Sequence, residues 1–396
     1  MRLHRPLPLL HLDEGVGTGL ARLSGLEGLT RSLLVGTVPL LALERLGSKD
    51  AVSQVFTAGA VLTLLVTLNL GRLEQMMARR WVMTMAIVSL FSAAILFTFT
   101  VAPTFILAIG LRSAAASMFS VLLTLYVMDH IGKGELTRME SSRMVYNGVG
   151  WLIGPSLGVW LASNVDESAP FVLAAVLSVG LLGFYWWLRL GNSVVVVEAK
   201  STAPSPLQNI PRFFKQRYLR IAYAITFSRA TFWVALFVYS PIYIVEAGQP
   251  EWVAGAFLSA VAAILLFSPL IRRVAEKLGT RLLVIIAFGV IGANMIAIAL
   301  LGDPRPLGIA FWFGAALGGA AIDVVGNIPF MRTVKPRERV AMATVFSTWR
   351  EMSALVSPLI GTVVLALTLP FELYYVIIAA LGAITAAYAT RLPRRI

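Results

Sequence analysis

Asn147-Gly-Val-Gly-Trp-Leu-Ile-Gly-Pro-Ser-Leu-Gly158 is a glycine-studded, proline-broken run inside a stretch otherwise apolar enough to sit in lipid. In the second half of the chain Arg350-Glu-Met-Ser-Ala-Leu-Val-Ser-Pro-Leu-Ile-Gly361 repeats its plan, with Pro358 standing for Pro155 and Gly361 for Gly158 at one common offset. Other pairs hold that register to within a residue or two: Pro39 and Glu44 against Pro241 and Glu246, and Arg79-Arg80 against Thr280-Arg281. Concordant matches of this kind mark an internal repeat, so the chain reads as two half-chains built on one plan.

Composition sets the class. The 396 residues are 58% hydrophobic and 13% charged, whereas soluble domains carry about 25% charged residues. This is an all-α polytopic membrane protein. Apolar runs of about 20 residues, the length that crosses roughly 30 Å of hydrocarbon as helix, are expected at 26–45, 51–71, 81–101, 104–128, 142–163 and 169–189. The second half gives 219–245, 252–271, 281–301, 306–330, 341–367 and 370–390, for twelve spans. The expected division is an N-terminal tail (1–25), a six-helix bundle (26–189), a linker (190–218), a second six-helix bundle (219–390) and a short tail (391–396). The linker, with Ser-Thr-Ala-Pro-Ser-Pro leading into Gln-Asn-Ile-Pro-Arg-Phe-Phe-Lys-Gln-Arg, reads as a flexible tether running into an amphipathic surface piece. An even number of spans per half inserts both copies the same way up, a parallel repeat about an axis along the membrane normal.

The net charge of +13 raises nucleic acid as a partner, and the placement of the charges excludes it. Most of the 33 lysines and arginines lie in alternate loops and the termini, whereas Arg45, Lys49 and Arg305 fall in the opposite loops and Arg31, Arg112, Arg229 and Arg350 inside spans. That asymmetry is an orientation signal. It puts both termini in the cytoplasm, with the chain a multi-pass protein of the inner (plasma) membrane. The opposite loops carry mostly acids, among them Asp50, Asp166, Glu167, Glu251 and Glu372. The apolar patch Leu7–Leu12 is too short for a cleavable signal, so the first span is the expected insertion signal. With no cysteine, and only His4, His11 and His130, the sequence offers no metal-ligand pattern. No cofactor is expected.

Nearly the whole length resembles the major facilitator superfamily of secondary transporters. Val274-Ala-Glu-Lys-Leu-Gly-Thr-Arg281 is similar to that family's signature loop, with Glu276 and Gly279 in its acid and glycine places. Its counterpart Gly71–Arg80 is degenerate, with the acid displaced to Glu74, Gln75 in its usual place and Ala78 for the glycine. Leu111-Arg-Ser-Ala-Ala-Ala116 is similar to the membrane-embedded arginine motif associated with proton coupling, without the glycine that usually follows. Gly150–Gly158 resembles the span-five motif of the antiporters. The resemblance implies two bundles that rock about a central cavity lined by spans one, four, seven and ten.

The residues give that motif a physical sense of its own. Gly150, Gly154 and Gly158 share one helix face, which lets a neighbouring helix approach closely. Pro155 removes a backbone donor and bends the helix, which lipid tolerates where neighbours re-satisfy the freed groups. Such a bent, tightly packed seam could seal one face of a transporter, or it could be helix packing with no directional meaning.

A charge at mid-span costs at least roughly 2.5–3.5 kcal/mol to insert and faces a bundle interior or an aqueous cavity. Arg31, Arg112, Arg229 and Asp323 come one from each of the four cavity spans that the resemblance implies. Arg350 and Glu351 lie in span eleven, adjacent and so pointing about 100° apart. Arg31 stands one turn from Glu27 and can be neutralised by it, and Asp323 can pair with an arginine. Arg112 and Arg229 have no acid nearby in sequence and are the preferred anion ligands. Tyr146, Asn147, Trp233, Tyr239, Asn327 and Trp349 complete the expected substrate wall. Asp323 and Glu351, with Arg112 and Arg350, are the expected proton-coupling set.

These readings predict a secondary transporter that moves a small anionic or zwitterionic solute, or a drug-like compound, by alternating access. A proton-coupled exporter is expected, acting as a monomer in the bilayer, and a proton-coupled importer of an organic anion is the alternative. An enzyme is not expected, because Asp129-His130 is the only acid–histidine pair and lacks a nucleophile or metal partner.

Overall fold

The computed structural model describes residues 14–99, 102–130, 136–188, 206–334 and 338–393. The chain before residue 14, the linker through 205 and residues 394–396 lie outside them, as do the side chains of Glu74, Gln75, Asp129 and His130. The described residues are nearly all helical, without strands.

The first half runs through α1 (Glu14–Leu46), α2 (Lys49–Met76), α3 (Arg79–Phe97), α4 (Ala102–His130), α5 (Leu136–Asn164) and α6 (Ala169–Trp187). A short helix α7 (Pro206–Lys215) precedes α8 (Arg217–Glu246) and α9 (Glu251–Ile264), and α9 passes through the 3-10 turn Leu265–Phe267 into α10 (Ser268–Leu278). Then come α11 (Thr280–Leu301), α12 (Pro306–Val325), α13 (Ile328–Thr333), α14 (Arg339–Phe346), α15 (Trp349–Ala366) and α16 (Glu372–Ala389). Among the described residues nine helical segments are long and apolar enough to cross a membrane. The expected spans 252–271 and 341–367 are each broken, at Leu265–Phe267 and at Ser347-Thr348, and α12 ends at Val325 where one helix to 330 was expected. Between α10 and α11 the backbone turns at Gly279 with φ +80°, a conformation that costs a glycine little and a side chain more.

α1 begins at Glu14, ahead of the expected edge at 26, and its first turns are held by packing. Leu20, Ala21 and Leu23 are fully buried in a core shared with α3, α4 and α6. α7 is amphipathic as its composition predicts. Phe213 is buried with Leu219, Ala222, Met342, Val345 and Phe346 from α8 and α14, while the exposed Arg212 pairs with Glu338. In the α5–α6 turn both the hydroxyl and the backbone N–H of Ser168 donate to Asp166, and these bonds hold its carboxyl below the usual carboxylate range.

The repeat is visible in the packing. α5 lies against α1 on one side and against α9 of the other half on the other, and its twin α15 lies correspondingly against α8 and against α2. The glycine face of α5 meets α1. A Cβ on Gly158 would stand 2.0 Å from the carbonyl oxygen of Leu33, one on Gly150 2.6 Å from the Leu29 nitrogen and one on Gly154 1.9 Å from Ser32 Oγ. α1 answers with small residues of its own. Gly25 and Gly28 face Tyr146 and Asn147, Gly36 faces Val159, and Ser32 Oγ donates to the Gly150 carbonyl at 2.8 Å. The stripe is therefore a backbone-to-backbone contact within the first half.

Replacing Gly158 by leucine should destabilise the fold by more than about 3 kcal/mol, because the obstacle is backbone and cannot rotate away. The control is Gly148→Ala on the same helix, with nothing within 4 Å of its Cβ position. Thermal unfolding of the detergent-solubilised protein should show a large drop for the first and none for the second.

Candidate functional site

The other edge of α5 faces the opposite half. Gly255 of α9 brings its Cβ position to 2.9 Å from the Pro155 carbonyl oxygen and 3.1 Å from Ser156 Cα. Ser259 Oγ accepts from the Ser156 backbone N–H at 3.2 Å and from its hydroxyl at 2.8 Å. A serine from the partner half thus supplies the polar neighbour that a proline-bent helix needs in an apolar setting. The twin seam carries Ser53 Oγ against Tyr239 OH (2.8 Å) and Thr57 against Thr362 (3.1 Å). Closer to the acidic loops, Ser163 donates to Glu251 at 2.7 Å. Lys49 pairs with Glu246 at 2.6 Å and lies over the Phe371 ring. These contacts close the halves on the acidic-loop face. Above them remains a vestibule of about 450 Å³ between α1, α5 and α9, with Glu44, Glu167, Glu251 and Trp252 on its walls.

Below the seal the interior charges gather. Arg31 Nε lies 3.1 Å from Glu27 and its guanidinium 5.4 Å from the Trp151 ring. The side chain keeps 31% of its surface open. Arg229 pairs with Asp323 at 2.7 Å, and both belong to the second half. The ion pair therefore joins α8 to α12 and does not clasp the two bundles together. Trp349 lies between two guanidinium groups, Arg229 at 5.1 Å and Arg350 at 5.4 Å. Arg350 is exposed and Glu351 buried, the divergence that adjacent positions on a helix require. Glu351 meets Ser117 of α4, across the halves. Arg112 is within electrostatic reach of Arg31, and Arg350 of both Arg31 and Arg229. Among the described residues Arg112 has no hydrogen-bond or ion-pair partner, and its Nε is buried.

Other expected residues lie elsewhere. Asn147 Nδ2 donates to the Ser24 carbonyl at 3.1 Å, which makes it part of the α1–α5 contact, and Tyr146 is exposed at the basic-loop end of α5. Asn327 stands at the N-terminal cap position of the short α13 without a capping hydrogen bond, and its Oδ1 is buried without a donor. Glu276 pairs with Arg272 one turn earlier on α10 at 3.2 Å, both side chains being well exposed. The acid of the signature loop makes its ion pair within its own helix here.

The family profile of the Major Facilitator Superfamily matches residues 21–307. The chain belongs to that superfamily. Among curated relatives, the chromaffin granule amine transporter of Homo sapiens is 24% identical over 299 residues, 71% of this chain and 54% of its own length. The matched stretch thus spans about half of that relative. Among solved structures, a POT family transporter in complex with 5-aminolevulinic acid aligns with TM-score 0.76 at 12% identity, covering 93% of this chain and 94% of that one. A bacterial homologue of the iron transporter ferroportin in an inward-facing state aligns with TM-score 0.73 at 15% identity, covering 95% and 99%. At such identities the likeness is one of fold. This superfamily member is a multi-pass membrane protein with the superfamily's fold.

Sequence reasoning passed over Trp151, Phe237, Ser117, Gly255 and Ser259. Trp151 sat inside the decisive stretch among its glycines. Gly255 and Ser259 carried a legible signal, two small residues one turn apart on an otherwise bulky helix. Phe237 and Ser117 carried none, since a phenylalanine or a serine in a span is unremarkable until its neighbour is known.

Two measurements test this geometry. Gly255→Leu should wedge α5 from α9, so a reporter Val159→Cys, fully buried at that seam in a chain with no cysteine of its own, should react several times faster with an impermeant maleimide in the leucine background. Asp323→Ala should lower stability by about 3–5 kcal/mol by leaving a buried guanidinium uncompensated. The double replacement Arg229→Met with Asp323→Leu should recover most of that loss in thermal unfolding.

Proposed function

We propose that this transporter moves a small anionic or zwitterionic organic solute across the inner membrane, as a proton-coupled exporter working by alternating access. The observation that carries the reading is Arg112, a membrane-depth cation with no acid partner among the described residues, set near Arg31. Holding an unpaired guanidinium at that depth is costly, and a bidentate carboxylate or phosphate offsets the cost.

Coupling follows from competition. While Asp323 is ionised it holds Arg229. A proton on Asp323 frees Arg229 for the substrate, and substrate bound to the arginine favours release of that proton. Glu351 reports the same exchange to the interface, because its partner Ser117 belongs to the other half. The two halves rock about the α5–α9 and α2–α15 seams, and the basic-loop side, where the exposed Tyr146 and Arg350 lie, faces the cytoplasm by the placement of the positive charges. Export is favoured over import by the glycine–proline plan of α5.

Purified protein in proteoliposomes decides between these readings. A counterflow screen should favour organic anions, and gradient-driven transport should collapse with a protonophore and in Asp323→Asn and Glu351→Gln while exchange persists. Transport indifferent to the proton gradient and to both substitutions would defeat the coupling. The human relative is named as an amine transporter, so preference for lipophilic cations would replace the anion reading by an amine one.

A further inference from the structure

We infer that the solute is an aromatic anion, a planar ring carrying a carboxylate, and that its ring is read by the aromatic ladder Trp151–Phe237–Trp233. The inference rests on the anion reading above and narrows it. Trp151 of α5 and Phe237 of α8 meet at 5.4 Å between ring centroids, and Phe237 continues onto Trp233 at 5.6 Å with the planes 20° apart. The ladder therefore crosses from one half of the transporter to the other. One end lies under the Arg31 guanidinium, the other beside the Arg229–Asp323 pair.

Two observations separate this ladder from ordinary core. Its rings, with that of Trp349, are only partly buried, whereas Phe232, Tyr239 and Tyr243 of α8 and Trp312 of α12 are fully buried. Guanidinium groups also lie over the ring faces, Arg31 on Trp151 and both Arg229 and Arg350 on Trp349. A guanidinium over a ring still presents its N–H groups at its edge, and those of Arg31 and Arg229 are shared with Glu27 and Asp323. Ring faces and guanidinium edges thus alternate along one wall. A saturated anion would use only the edges, an apolar ring only the faces, and an aromatic carboxylate uses both. Arg112, lacking an acid, takes the carboxylate while the ring slides against the ladder.

The test uses the full-length protein in detergent and isothermal titration with 2-naphthoate, its saturated counterpart decahydronaphthalene-2-carboxylate, and 2-naphthylmethylamine. Naphthoate should bind about tenfold tighter than the saturated acid, as stacking on more than one ring supplies. That ratio should fall toward one in Trp151→Leu and persist in Trp151→Phe, while Arg112→Gln weakens both acids alike. Equal affinity of the two acids for the unmodified protein overturns the aromatic inference and leaves the anion reading standing. Binding of the amine alone overturns both, and a naphthoate preference that survives Trp151→Leu combined with Trp233→Leu overturns the ladder as its source.

Discussion

The absence of a side chain at Gly158 lets the α5 backbone come within contact of the Leu33 carbonyl on α1, and much of the molecule depends on that approach. In lipid no hydrophobic gain drives helices together, so close backbone packing and interhelical hydrogen bonds must hold them. The α1–α5 contact supplies both, through Gly150, Gly154 and Gly158 on one helix, Gly25, Gly28 and Gly36 on the other, and the Ser32–Gly150 hydrogen bond between them. With that edge of α5 committed to α1, its opposite edge, from Pro155 to Ser163, is left to meet α9.

The seal on the acidic-loop face is consequently a second-order product of the glycine stripe. Its contacts between halves are small polar pairs, Ser156 with Ser259, Ser53 with Tyr239 and Thr57 with Thr362. Such hydrogen bonds are worth on the order of 1 kcal/mol each, weak enough to be exchanged one for another in the proposed alternating access. The intra-half contact is close backbone packing, and the inter-half contact rests on small polar pairs. The proposed alternating access needs that division, because a bundle packed as one unit must turn about a surface that lets go.

The two copies of the motif have divergent work. α5 opens with Asn147, which ties it to Ser24 of α1, while α15 has Arg350 and Glu351 in the corresponding places. One of these side chains is exposed and the other meets α4. The charges beneath the seal are partly self-contained, since Glu27 answers Arg31 and Asp323 answers Arg229 inside their own halves. Arg112 remains unanswered among the described residues, and the aromatic rings lie around its neighbours.

The sequence by itself determined that the chain lives in a membrane, that it is duplicated, that α5 carries a small-residue face and that certain charges lie at membrane depth. These are properties of hydropathy, spacing and period, which a linear chain carries locally. It also showed the Glu27–Arg31 pair, because residues one turn apart meet on any helix. Only the tertiary structure decided that Arg229 takes Asp323, that the glycine face meets α1 while Gly255 and Ser259 meet the other edge, that the long spans at 252–271 and 341–367 break, and that Trp151 and Phe237 join across the halves. Those facts depend on how far each helix is rotated about its axis and slid along its neighbour. The spacing of residues within one helix fixes which side chains share a face, and leaves open what that face will touch.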